Sequence, residues 1–150
     1  MTGIAVRIVE PSAEGELLPR YDEESQILAA ESPVPAEWPF GVDVDGNLVF
    51  DLARDHTLMN FDLHIGAREW SEDPGLTWPT VQRRGTVIFT SDAVEEKSFH
   101  LPLRVHTNPS RTIVRIEIGE DGEAKPVQLS DACCALIRGS TLVGFVLDLK

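Results

Sequence analysis

Apolar residues in this chain recur at every second position, and no long stretch places them three and four apart as a helical stripe requires. That period restricts the chain to strands with one face turned inward. Ile4, Val6 and Ile8 alternate with Ala5 and Arg7. Val42 and Val44 lead into Asp45-Gly46-Asn47 and Leu48 to Leu52 lead out, a hairpin on a strong short turn signal. Met59, Phe61, Leu63 and Ile65 share one face, with Asn60, Asp62 and His64 on the other. In the second half Thr86 to Thr90 is a β-branched run. Phe99, Leu101, Leu103 and Val105 alternate with His100, Pro102, Arg104 and His106, and Pro102 marks an edge or a bulge. Val114, Ile116 and Ile118 follow, then Ala124 to Leu129, Ala132 to Arg138 and Leu142 to Leu149. About ten strands with short turns predict an all-β single domain over residues 1–150, an antiparallel β-sandwich or a closed barrel.

Three segments break the pattern. Ala13 to Glu24 holds Gly15 and Pro19 and supplies one helical turn at most. Ser32 to Pro39 contains three prolines and reads as an extended connector. Gly66 to Gln82 is a long loop carrying Trp70 and Trp78, and loops of this length are often functional.

The chain also resembles itself. Asn47–Ile65 laid over Asp131–Leu149 brings Leu52 onto Leu136, Arg54 onto Arg138, Leu58 onto Leu142, Phe61 onto Phe145 and Leu63 onto Leu147. With one residue of slack upstream, Tyr21–Leu28 falls on His106–Ile113, giving repeats 21–65 and 106–149. Duplication of a meander that cannot bury its apolar face alone accounts for this, as does chance likeness between two hairpins. The sequence Tyr21-Asp22-x-Glu24 followed by Leu28, then Asp43-x-Asp45-Gly46-Asn47-Leu48-Val49, resembles a family of small uncharacterised bacterial proteins. Those carry a Tyr-Asp-x-Glu opening and an Asp-x-x-Gly-x-Leu-Val-Gly-Ile/Phe ending, which Leu142-Val143-Gly144-Phe145 echoes. The resemblance covers about half the chain and implies a β-rich fold, with no established activity. It departs at His106, where the tyrosine would stand, and at Asn60, where the glycine would.

Charge narrows the partners. Against 13 Lys and Arg stand 25 Asp and Glu, a net −12, which disfavours nucleic acid and anionic membrane surfaces. Residues 1–50 carry −8, residues 51–100 carry −4 and residues 101–150 are neutral. A cationic partner therefore belongs with the first half, near Glu10–Glu24, including Glu14, Glu16, Glu23 and Glu24, and the Trp38 connector. Met1–Val9 is interrupted by Arg7 and runs into Glu10 and Pro11, unlike a signal peptide. No window reaches the roughly 18 apolar residues of a membrane span. A soluble, cytoplasmic protein is expected, with Cys133 and Cys134 as reduced buried thiols.

Motifs for chemistry are scarce. Asp43, Asp45, Asn47 and Asp51 resemble part of a calcium loop, but Gly46 is misplaced and Arg54 stands where the bidentate Glu is needed, so a hairpin turn is the expectation. Neither a metal nor a cofactor is expected. No nucleophile or phosphate-loop motif is present. Asp62, His64, His100 and His106 would line the polar face of the strands: a wet surface in a sandwich, an acid–base lumen in a barrel. Trp38 and Trp78, each before a proline, and Trp70, beside Glu69, Glu72 and Asp73, are candidate anchors for a basic protein, or rings that plug the ends of the fold. Three functions remain: an immunity- or antitoxin-like partner of a basic protein; a β-barrel enzyme acting on a hydrophobic small molecule through those His and Asp residues; and a structural subunit of a homo-oligomer.

Overall fold

A computed structural model describes residues 3–81 and 83–150. Met1 and Thr2 of the Met1–Val9 stretch, and Gln82 at the end of the long loop, lie outside the described residues. Its strands are β1 (Ile4–Val9), β2 (Leu18–Asp22), β3 (Ile27–Glu31), β4 (Phe40–Val44), β5 (Leu48–Leu52), β6 (Leu58–Leu63), β7 (Ser71–Glu72), β8 (Thr86–Phe89), β9 (Ser98–Phe99), β10 (Leu103–Thr107), β11 (Ile113–Ile118), β12 (Lys125–Ser130), β13 (Cys133–Arg138) and β14 (Thr141–Asp148). They form two sheets that do not close into a barrel. The six-stranded sheet runs β2-β3-β6-β5-β4-β9, and the eight-stranded one runs β12-β13-β14-β11-β10-β7 with β1 joined to β14 and β8.

Both sheets are mixed, where an antiparallel pattern was expected. β7 lies parallel to β10 and β9 parallel to β4. Each is a two-residue segment reached through a long connection, which a parallel neighbour requires and a tight hairpin forbids. Elsewhere the hairpins follow the sequence signals. Asp45 and Gly46 both take positive φ, 51° and 70°, the paired left-handed geometry of a tight hairpin turn.

The sheets share one core. Phe50 and Phe61 come from the six-stranded sheet, Phe89 and Phe145 from the eight-stranded one, and all four are fully buried. Phe50 meets Phe89 at 5.1 Å between ring centroids, and Phe61 meets Phe145 at 4.3 Å. Tilted and edge contacts of this kind add to the stabilisation from burial alone.

β2 to β6 and β10 to β14 have the same strand order: first, second, fifth, fourth, third. Phe50 pairs with Phe61 and Leu48 with Leu63; correspondingly, Ala135 pairs with Phe145 and Cys133 with Leu147. A register shift falls at the same place in both hairpins, at Asp51/Leu52 and at Leu136/Ile137. Upstream, Tyr21 faces Leu28 as Thr107 faces Val114. Tyr21 therefore holds the place of Thr107, not of His106, and Leu52 that of Ile137, not of Leu136. A ladder counts residues by pairing, and a one-residue offset turns a side chain to the other face.

Three features escape the period-two pattern. Ser91–Glu96 is a helix, α1, capped by the Thr90 hydroxyl, which accepts from Ala93 N. The run Phe99 to Val105 is not one strand. It breaks at His100-Leu101-Pro102, where the chain passes from the six-stranded to the eight-stranded sheet, and Pro102 cannot donate to either ladder. Finally, the 73–81 segment lies over the outer face of the eight-stranded sheet. Leu76, Trp78 and Val81 pack on Ile113, Cys134, Leu136 and Val146 in a second, smaller core.

Candidate functional site

The crossover at Pro102 decides where the histidines go. Asp62 and His64 belong to the six-stranded side, His106 to the eight-stranded sheet, and His100 to the link between them. These four residues therefore do not line one face, and without a closed barrel there is no lumen for them. His64 is exposed. His100 is exposed too, its Nδ1 2.9 Å from Asp45 Oδ1 at the β4–β5 turn. The carboxylates that resembled a calcium loop serve that turn as well: Asp43 accepts from Gly46 N at 2.8 Å and from the Ser98 hydroxyl at 2.6 Å.

Asp62 instead joins a group of carboxylates on the outer face of the six-stranded sheet. Strand pairing aligns Arg20, Ala29, Asp62, Val49 and Asp43 in one row and Leu18, Glu31, Asn60, Asp51 and Gly41 in the next. Four acids, Glu31, Asp43, Asp51 and Asp62, thus share a face with Arg20 as the one cation in those rows. Asn60 is buried and donates to Asp51 at 2.8 Å and to Asp62 at 3.5 Å. Burial pushes the Asp51 carboxyl above its ordinary value; the Asn60 hydrogen bond opposes this and the Asp62 charge adds to it.

His106 sits in a different constellation. On the outer face of the eight-stranded sheet Glu117 accepts from His106 Nε2 at 2.7 Å. Arg104 Nε and Arg115 Nε each lie 3.5 Å from the same carboxylate. Arg104 also reaches Asp121 at 2.8 Å and the Gly119 carbonyl at 2.9 Å. Cross-strand pairing of Arg104 with Glu117 and of His106 with Arg115 fixes this square. A cleft of about 520 Å³ opens beside it, between His106, Arg115, Glu117 and the 73–79 segment. The cleft receives only one of the four acid–base candidates.

The tryptophans separate by environment. Trp70 is 7% exposed, donates its indole N–H to the Ile65 carbonyl at 2.8 Å and meets Tyr21 edge-on at 5.0 Å. It is a core residue, not an exposed anchor. Trp78 is half-buried in the second core. Trp38 alone stands out at 37% exposure, next to the equally exposed Phe40. Glu23 and Glu24 are exposed in the β2–β3 turn. There hydrogen bonds from the Ser25 side chain and from Glu24 N hold the Asp22 carboxyl below the usual carboxylate range. Tyr21 donates to Gln26 and accepts from Ala67 N, so the Tyr-Asp-x-Glu residues tie this hairpin to the 67–70 turn.

Cys133 and Cys134 are free and buried on opposite faces of β13, in the main and the second core respectively. Burial raises Cys133 well above its ordinary value and pushes Cys134 up to about 11, so both are poor nucleophiles.

A groove of about 1280 Å³ involves none of the candidate catalytic or binding residues singled out in the sequence. It lies between β1, Thr80 and Arg83, and the β12–β13 end, and Arg7, Arg83, Arg115, Lys125 and Arg138 line it. These cations are scattered along the chain, and no sequence pattern unites them.

Among the described residues no three His, Cys, Asp or Glu side chains form a group that could hold a metal ion. Among them, too, no helix is long and apolar enough to cross a membrane. No family model matches the chain, and a search of curated proteins finds no match.

Proposed function

We propose that this is a sandwich-like binding protein, built from two copies of a five-stranded unit, that captures a cationic protein on the outer face of its six-stranded sheet. One observation carries the reading. Asp51 is held half-buried with a raised pKa beside Asp62, on a face whose paired rows offer only Arg20 in compensation. Such an arrangement disfavours charge in the free protein, and an incoming Lys or Arg relieves it. Trp38 and Phe40, exposed at the start of β4, supply apolar contact area of the kind that anchors interfaces. The immunity- or antitoxin-like role fits this surface. The enzyme reading lacks its shared pocket.

The test is recovery of the partner on immobilised protein from the source cell, followed by affinity measurement with two variants. Asp51→Asn with Asp62→Asn is expected to weaken binding at least tenfold. Glu14→Gln, Glu16→Gln, Glu23→Gln and Glu24→Gln together should weaken it less. Equal affinity for wild type and the sheet-face variant would remove this face from the interaction.

A further inference from the structure

We infer that the groove beside β1 is a separate binding site for a small molecule bearing two or more phosphate groups. The groove exists because β1 pairs with β14 only at Ile4 and Ala5, then turns away to run along β8. The gap opens between Val6–Val9 and the end of the β12–β13 hairpin. In a chain with 25 acids and 13 bases, five bases line this one gap and Glu123 is its only acid.

Two of the cations, Arg138 and Arg83, are placed by backbone, and Arg115 alone of the five is paired with a carboxylate among the described residues. Arg138 donates its Nε to the Glu123 carbonyl at 2.9 Å, and Arg83 lies 3.5 Å from the Ile8 carbonyl. A Cβ on Gly122 would fall 2.7 Å from an Arg138 terminal nitrogen, so the guanidinium rests on bare backbone that leaves it room. Among the described residues no carboxylate lies within ion-pair reach of Arg7, Arg83, Lys125 or Arg138. Arg115, shared with Glu117, completes the set.

Three of the four unpaired cations are arginines, whose planar forks match phosphate oxygens in pairs. Buried Val6, Val127 and Ile137 form an apolar floor, which strengthens charge interactions above it. The net −12 of the whole chain selects for size. A long polyanion would extend beyond the five groove cations on a chain whose overall charge repels it, whereas a short one is matched by them inside the groove.

The experiment is calorimetric titration of the full chain with inorganic tripolyphosphate at low salt. Saturable binding at one site per chain is expected. Arg83→Gln with Arg138→Gln should weaken it at least tenfold, and Lys125→Gln, which removes an exposed side chain, by a smaller factor with the fold intact. Arg68→Gln, outside the groove, should leave it unchanged. Absence of binding, equal binding by the groove variants, or equal loss with Arg68→Gln would overturn the site. Tighter binding of a single-stranded oligothymidylate than of tripolyphosphate would overturn the small-molecule assignment in favour of nucleic acid.

Discussion

Phe61 and Phe145 stack on one another at 4.3 Å with their rings tilted by 31°, and each holds the same place in its own hairpin. The contact joins the two sheets at the middle of the core. Phe61→Ala and Phe145→Ala are each expected to cost about 3–5 kcal/mol, from lost burial and the cavity left behind. The double variant should cost less than the two together, by about 0.5–1.5 kcal/mol, because the pair contact is removed only once. Urea unfolding of the four proteins measures this. Strict additivity would show that the two rings do not stabilise each other.

Asp51 makes stability depend on pH in a direction opposite to most paired carboxylates. Its pKa is raised in the folded protein, so the native state binds protons more readily than the unfolded chain. The destabilising contribution is full at neutral pH. It fades as pH falls through the raised value and is gone below the ordinary value of 3.8. Asp51→Asn is therefore expected to melt at a higher temperature than wild type at pH 7, with the difference shrinking toward pH 3.5. A constant difference across that range would show that charge at position 51 is not the cause.

Cys134 is protected by the segment that crosses the outer face of the eight-stranded sheet, whereas Cys133 is sealed between the sheets. Neither should react with a disulfide reagent in the native protein at pH 8. Trp78→Ala thins the cover over Cys134 and is expected to release one equivalent of reactive thiol while the other stays silent. Mass mapping of the modified residue checks the assignment. Release of both thiols together would mean that global unfolding, not local opening, exposes them.

Glu117 holds Arg104, His106 and Arg115 together, with its side chain 20% exposed. Glu117→Gln leaves the Arg104 and Arg115 guanidiniums without their shared countercharge and is expected to cost about 1–3 kcal/mol, with a smaller cost at high salt. Denaturation at two ionic strengths measures it. No loss at low salt would show that the cluster does not contribute to stability.

The strands could be found in the sequence because burial on one side imposes alternation, and Asp45-Gly46 fixes a turn by local geometry alone. The grouping of residues into sites could not. His100 and His106 share one alternating run, yet Pro102 sends the chain from one sheet to the other between them. Asn60 and Asp62 were visible as a polar face, while their partner Asp51 joins them only through the β5–β6 ladder. The groove cations at positions 7, 83, 115, 125 and 138 were hidden by the overall charge, since a sum over the chain carries no information about where opposite signs separate. Thr90 and Asp92 did carry a start signal for α1, which six residues of helix are too short to repeat as a period.

The two five-stranded units match in strand order and register, yet one outer face carries the carboxylate rows and the other is roofed by the 73–81 segment. Separate identical chains meeting in the same way would have to wear the same exterior twice. Joined in one polypeptide, the halves keep a common interior while their exteriors are free to differ in charge, covering and ligand. Substitutions outside the core are thereby released from serving both sides at once, and only residues at the shared seam, such as Phe61 and Phe145, remain bound to each other.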